Sequence, residues 1–289
     1  MLLNKSPKEK VAVIVDSCGD VPYYLAEKYG IRIVPVHIVY PEGDYHDGYQ
    51  ISPMVYERFP EEIPTTATPS PADIMELYDE LEADGYTHVI AVCISDRLSS
   101  TINAFRIAAN EYPEINSFVF NTKNISVGSG IFAIWAAKML KKGYSFEEIT
   151  MRMERKRSDS HLMFYMDTLQ FLYAGGRIGK VGYLAANALH IKPVISCDKD
   201  GVYYTVAKLR GSRKSKEKLY ELVSGEMGEP DAPCWVVIGH GNAPQECERM
   251  KALVEKAMPQ AKILFTEQIT ASMAVHTGPG LIGLLIFKL

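Results

Sequence analysis

The run Val11-Ala12-Val13-Ile14-Val15 is apolar at every position and ends at Asp16-Ser17. A strand buried on both faces loses the alternation of a half-buried one, so this run predicts a strand in a parallel sheet. A helix follows over Pro22 to Tyr29, with Asp20 as its N-cap and Gly30 as its stop. Ile31 to Tyr40 reads as the next strand, and Pro41 to Asp44 as a turn. Ser70-Pro71-Ala72-Asp73 has the grammar of a helix start: a Ser cap, Pro in the first turn and an acid behind it. That helix extends to about Ala83. Val89 to Ile94 is a strand, a helix starts near Thr101, Phe118 to Phe120 is a strand, and Gly130 to Lys141 is a helix. Strands alternating with helices predict a doubly wound α/β domain.

Phe146 to Arg157 reads as a helix ending in a basic cluster, and the domain boundary is placed there: 1–155 and 156–289. The second half mixes its elements. Thr168 to Tyr173 looks helical, then comes the glycine-rich Gly175-Gly176-Arg177-Ile178-Gly179-Lys180. Val202 to Ala207, Trp235 to Gly239 and Leu281 to Phe287 read as strands, and Glu246 to Ala257 as a helix.

Composition narrows the class. The chain has 289 residues, 47% hydrophobic and 23% charged, which is ordinary globular material with enough apolar residues to line a cavity. A formal net charge of −4 gives no global argument for nucleic acid or for an anionic membrane. The five cysteines are odd in number and form no C-x-x-C, which predicts neither a disulfide framework nor a zinc site and fits a reduced cytoplasm. Met1 to Lys10 lacks the apolar core of a signal peptide, and Gly280 to Phe287 is too short to span a bilayer. Gly175 to Val181 fails as a phosphate loop, because a Val stands where Ser or Thr must hold magnesium. No G-x-G-x-x-G follows a strand, and there is no H-E-x-x-H and no G-x-S-x-G. No cofactor is expected.

What remains are hydroxyl-rich turns leading into helices: Thr65 to Ser70, Ser95 to Thr101, and Asn121 to Gly130. At strand ends of an open α/β sheet, hydroxyls beside a helix N-terminus suit an anion. For any single Ser or Thr an N-cap role is the simpler explanation, and Ser70 is assigned to it. Arg177 among glycines serves equally well as a clamp on carbonyls or as an anion-binding group. A lone His is more often a satisfied structural residue than a functional one, and that weighting applies to His276, before Thr277-Gly278-Pro279-Gly280, and to His240 alike.

Five segments in order resemble the DegV family of bacterial fatty-acid-binding proteins. They are Val15-Asp16-Ser17, Thr66-Ala67-Thr68-Pro69-Ser70, Ile94 to Thr101, Tyr173 to Lys180 with Ile191-Lys192-Pro193, and His276 to Gly280. The resemblance runs along nearly the whole chain. It implies a two-domain α/β fold: an N-terminal parallel three-layer α/β/α domain, a C-terminal α/β domain with a mixed sheet, and a lipid between them. It further implies that Thr66 and Ser99 hold a fatty-acid carboxylate, that Arg177 and His276 complete the polar network, and that Ser95, Thr277 and Gly278 belong to the same site. Family members in this role hand the acid to a separate fatty acid kinase for phospholipid synthesis and do no chemistry themselves. The implied partners are a long-chain fatty acid and that kinase, with no nucleic acid and at most transient membrane contact. The chain departs from the family pattern at Ala67, Thr68, Asp96, Arg97 and Ser100. An acid at 96 would repel a nearby carboxylate unless Arg97 pairs with it or it points away. The alternative is an acyl hydrolase or transferase with Ser99 as nucleophile, His276 as base and Asp16 or Asp96 as orienter.

Overall fold

The computed structural model describes residues 9–182, 191–227 and 232–289. In chain order, β1 (Val11–Asp16) leads through a short 3-10 turn to α1 (Tyr23–Tyr29) and β2 (Ile31–Val34), then β3 (His37–Tyr40), β4 (Gly43–His46), α2 (Ser52–Arg58) and β5 (Thr65–Ala67). There follow α3 (Pro71–Ala83), β6 (His88–Cys93), α4 (Thr101–Glu111), β7 (Asn116–Asn121), α5 (Val127–Lys141) and α6 (Phe146–Lys156). The remainder comprises β8 (Ser160–Tyr165), α7 (Gln170–Ala174), β9 (Ile191–Cys197), β10 (Tyr203–Arg210), α8 (Ser212–Gly225), β11 (Cys234–His240), α9 (Pro244–Ala257), β12 (Lys262–Gln268), α10 (Ala271–Thr277) and β13 (Ile282–Lys288).

The first sheet is parallel, in the order β2-β1-β6-β7, and the large second sheet is mixed, in the order β10-β9-β8-β13-β11-β12. The expected α/β class is therefore present, parallel first and mixed second. Alternation explains the layering. Ala12, Ile14, Val89, Ala91 and Cys93 pack outward against α3 and α4, while Val13, Val15, Ile90 and Val92 face inward. On the second sheet Val236, Ile238, Leu284 and Ile286 pack with residues of α8 and α9. Its other face, with Leu162, Phe164, Val237, Leu285 and Phe287, joins the inward face of the first sheet in one cluster.

Helix α5 fills the space between the sheets. Every residue from Val127 to Ala137 is buried, so the helix is apolar all round and not amphipathic. Phe132 touches Phe120 on the first sheet (5.2 Å between ring centroids) and Phe287 on the second (5.3 Å). The two halves thus share one core.

Several expected elements change. The single strand predicted over Ile31 to Tyr40 breaks at Pro35-Val36, because Pro35 has no N–H to donate to a ladder. The Val36 N–H turns instead to the Ser17 hydroxyl (3.0 Å), and β3 becomes the centre of a small antiparallel sheet, β4-β3-β5. Thr65 to Ala67, expected as a turn, is the strand β5 of that sheet, with Thr66 opposite Ile38. Asp20 does not cap α1. It adopts a left-handed conformation (φ 49°), Pro22 occupies the cap position, and Gly30 ends the helix as expected. Ser70 and Asp73 form the expected capping box on α3. All five cysteines are free thiols.

The shared core makes a testable prediction. Phe132→Ala, at a site with no solvent exposure, removes about 3–5 kcal/mol. Denaturation followed by far-UV circular dichroism and by tryptophan fluorescence should show one transition, moved down in both signals together. Separate transitions for the two signals would mean that the halves do not share this core.

Candidate functional site

Segments from both halves meet in a cavity of about 50 Å³ at the N-terminal end of α5. Its lining includes Thr66, Ser99, Arg177, His276 and Thr277, so five of the seven residues expected from the sequence come together. Ser95 and Gly278 do not line it. The Ser95 hydroxyl donates to the Gly201 carbonyl (2.8 Å) and accepts from the Arg97 N–H (3.1 Å), which ties the two halves together. Gly278 has φ 67°, and a Cβ there would lie 2.2 Å from the Phe171 ring, so its role is to let the chain turn against that ring.

Each polar residue is positioned by a local device. Arg177 follows α7, and its Nε donates to the Leu98 carbonyl (3.2 Å) and its terminal nitrogen to the Gly175 carbonyl (2.7 Å). Those bonds fix the guanidinium and leave donors over for a ligand. Both roles considered for Arg177 are therefore compatible: it clamps carbonyls and still faces the cavity. Among the described residues no carboxylate forms an ion pair with it. His276 lies in the last turn of α10, not in a turn before the strand, and its Nε2 is 3.0 Å from the Thr66 hydroxyl. Its Nδ1 has no hydrogen-bond partner and faces Gly175, where a Cβ would sit 2.1 Å away. Only glycine at 175 admits the imidazole. Burial, and next the positive charge of Arg177, lower the His276 pKa to about 4, so the ring is neutral at pH 7.

The Ser99 hydroxyl pairs with the Thr101 hydroxyl (2.8 Å), and the Thr101 N–H also points to it (3.3 Å). No hydrogen bond among the described residues joins Ser99 to His276, and Asp16 accepts from the Ile94 N–H (3.0 Å). The nucleophile, base and acid of a hydrolase are thus not assembled. Asp96 and Arg97 are both exposed and lie outside the lining, which removes the expected clash between an acid at 96 and a bound anion.

A second, smaller cavity of about 20 Å³ adjoins the first. Ile125, Tyr203, Met273 and Thr277 line both, and the second is otherwise walled by side chains such as Val127, Leu162, Phe164 and Leu281. Ile125 and Phe164 line these cavities, and Phe132 and Phe171 are buried around them.

Three acids, Asp16, Asp20 and Asp47, are buried, and of these only Asp47 carried no signal in the sequence. Asp20 accepts from the Thr270 N–H (2.7 Å) and from the Ser126 hydroxyl. Asp47 accepts from the Ser272 N–H (2.8 Å) and hydroxyl (2.6 Å). These two carboxylates cap α10, the helix that carries Met273, His276 and Thr277, from more than 200 positions away. Burial raises Asp16 and Asp20 to about 7 and also raises Asp47. It raises Cys18 as well, with the Asp16 charge next, so this cavity-lining thiol stays protonated. Among the described residues no group of three or more His, Cys, Asp or Glu could hold a metal ion, and no helix is long and apolar enough to cross a membrane. The basic side chains of the cluster at 152–157 and of the segment 208–218 are largely used within the fold. Arg157 donates to the Asn121 carbonyl, Lys156 pairs with Asp159, Lys216 with Glu246 and Lys218 with Glu221. The side chains of Arg210, Arg213 and Lys214 lie outside the described ones.

Between the two sheets, a cavity end lined by Arg177 and hydroxyls adjoins an apolar one. The chain belongs to the DegV family: the family model described as "Uncharacterised protein, DegV family" matches residues 10–289. A DegV domain-containing protein of Clostridium acetobutylicum is 39% identical over 281 residues, covering 97% of this chain and 99% of that protein. Among solved structures, a fatty-acid-binding DegV family protein of Thermus thermophilus superposes with a TM-score of 0.87 at 28% identity, covering 96% of this chain and 99% of that one. A stearic-acid-binding protein of Eubacterium ventriosum gives 0.87 at 27% identity, over 96% and 98%.

The buried acids predict a pH dependence. An unfolded Asp ionises near 3.8, whereas folded Asp20 does so only near 7. Between those values the folded form keeps a proton that the unfolded form has lost. Its stabilising contribution is full below about pH 4 and is lost as pH rises through about 7. His276, lowered from 6.5 to about 4, works in the opposite direction over its own window. Asp20→Asn keeps an acceptor for the Thr270 N–H and removes the charge. Its melting temperature should gain on wild type steadily from about pH 4 to about 7, and a difference that does not vary with pH would contradict the assignment.

Proposed function

We propose that this protein is a non-catalytic carrier that buries one long-chain fatty acid and presents its carboxylate to a fatty acid kinase for acyl-phosphate formation in phospholipid synthesis. The observation that carries the reading is the continuity of a polar head, Thr66, Ser99, Arg177 and His276, with an apolar cavity behind it. The solved relatives that bind fatty acids support the ligand class. The kinase step rests on the family resemblance, and free thiols suit a reduced cytoplasm. In this reading the segments 1–155 and 156–289 act as the two walls of the lipid site.

The energetics are consistent. Burying about 16 methylene-type groups at about 0.8 kcal/mol each gives on the order of 10 kcal/mol before the costs of binding. An ionised carboxylate removed from water needs compensating partners, and Arg177 with two hydroxyls supplies them. The tail therefore provides most of the affinity and the head fixes orientation. The hydrolase alternative has no comparable support, since Ser99 and His276 engage other partners.

Organic extracts of denatured, purified protein should contain a fatty acid by mass spectrometry. Empty extracts, together with no shift in melting temperature on adding fatty acids, would refute the carrier reading. Arg177→Ala should weaken binding roughly 10- to 100-fold, the cost of one charge-assisted hydrogen bond. Ser70→Ala removes only a helix cap, so it should lower the melting temperature and leave binding unchanged. Equal losses of binding in the two variants would overturn the head-group assignment.

A further inference from the structure

We infer that Gly239 and Gly283 form the seat for the far end of the acyl chain and set the longest chain that fits. The inference rests on the fatty-acid reading above and concerns a part of the site with no polar chemistry. The two glycines are directly paired across β11 and β13. Residues opposite one another in an antiparallel pair project to the same face, and here it is the face turned toward α5. The next pair along, Val237 opposite Leu285, is buried in the shared core on that face. Phe164 is the neighbour of Gly283 on β8. Along β11 and β13 the inner surface carries large side chains at the pairs Trp235–Phe287 and Val237–Leu285 and none at the glycine pair. The gap is a trough, and the second cavity lies over it.

Packing around the glycines shows that the room is real and modest. A Cβ on Gly239 would lie 3.5 Å from Ile269 and 3.9 Å from Val127. One on Gly283 would lie 3.7 Å from Leu162 and 3.8 Å from Phe164. These are ordinary contact distances, and all four neighbours line the cavity. Neither glycine has positive φ, so backbone freedom does not require glycine here. A glycine within a strand also weakens it relative to alanine. The feature these positions keep is space. From Arg177 the path runs past Tyr203 and Met273, which line both cavities, and Val237 with Leu285 closes the trough beyond the glycines.

The test uses Gly239→Ala and Gly283→Ala, separately and combined, with Gly225→Ala as control; Gly225 is exposed with nothing within 4 Å of its would-be Cβ. Fatty acids extracted from each purified protein are profiled, and the delipidated proteins are titrated with saturated acids of graded length. A methyl group takes about the room of one methylene. Each alanine should lower affinity for the longest chain that wild type binds by about four- to fifteen-fold, the worth of one or two methylenes. Affinity for acids a few carbons shorter should be preserved and the extracted profile should move to shorter chains. Melting temperatures of the delipidated variants at or above wild type would show that the fold is intact. Unchanged length profiles in both single variants and the double variant would overturn the ruler while leaving the carrier intact. If wild type itself neither releases nor binds any fatty acid, the carrier reading fails and the ruler falls with it.

Discussion

Everything in this molecule is arranged around a helix whose first eleven residues have no solvent face. A segment, Val127 to Ala137, that is buried on all sides must be covered on all sides. One sheet cannot do that, so a second sheet closes over it, and two chemically different halves come to share a single core. The same constraint places the cavity. Helix α5 fills the gap between the sheets only from Val127 onward, and Ile125, Ser126 and Val127 line the space that opens just before it. The cavity is the part of the inter-sheet volume that the helix leaves unfilled.

Polar groups enter that volume on strict terms. Arg177 is pinned by two carbonyls, His276 is kept neutral by burial and by that same cation, and the three nearby acids are pushed toward protonation. One fixed positive charge therefore dominates the head of the cavity, which is the condition for drawing an anion into an otherwise apolar space. The capping of α10 by Asp20 and Asp47 serves this arrangement. It fixes the helix whose far end presents His276, using acceptors whose own charge is suppressed at and below neutral pH.

Much of the scaffold could be read from residue order alone because its signals are local. The apolar run at Val11 to Val15, the Ser70–Asp73 capping box and the Gly30 stop each lie within a few positions of the element they specify. The parts that could not be read depend on distant residues. Helix α10 carries no cap of its own, since its caps are Asp20 and Asp47, and Asp20 looked like a cap for α1 for the same reason. The strand over Ile31 to Tyr40 divides because Val36 prefers a hydroxyl donated from another segment. Strands β8, β9 and β12, of six, seven and seven residues, were also not predicted. Thr66, Ser99, Arg177 and His276 were individually ambiguous, and only the order of five motifs joined them. The glycine pair at 239 and 283 was invisible, because a missing side chain leaves no pattern until its neighbours are in place.

The Thr66–His276 contact spans 210 positions, and the acids at 20 and 47 wait for residues 270 and 272. A nascent chain emerging from a ribosome can assemble β1, β2, β6 and β7 early, yet it leaves the inner faces of those strands and of α5 uncovered until the second sheet has been made. The cavity is therefore completed late in the life of the polypeptide. Until then the apolar surface destined for the core stays exposed to collapse, chaperones and aggregation.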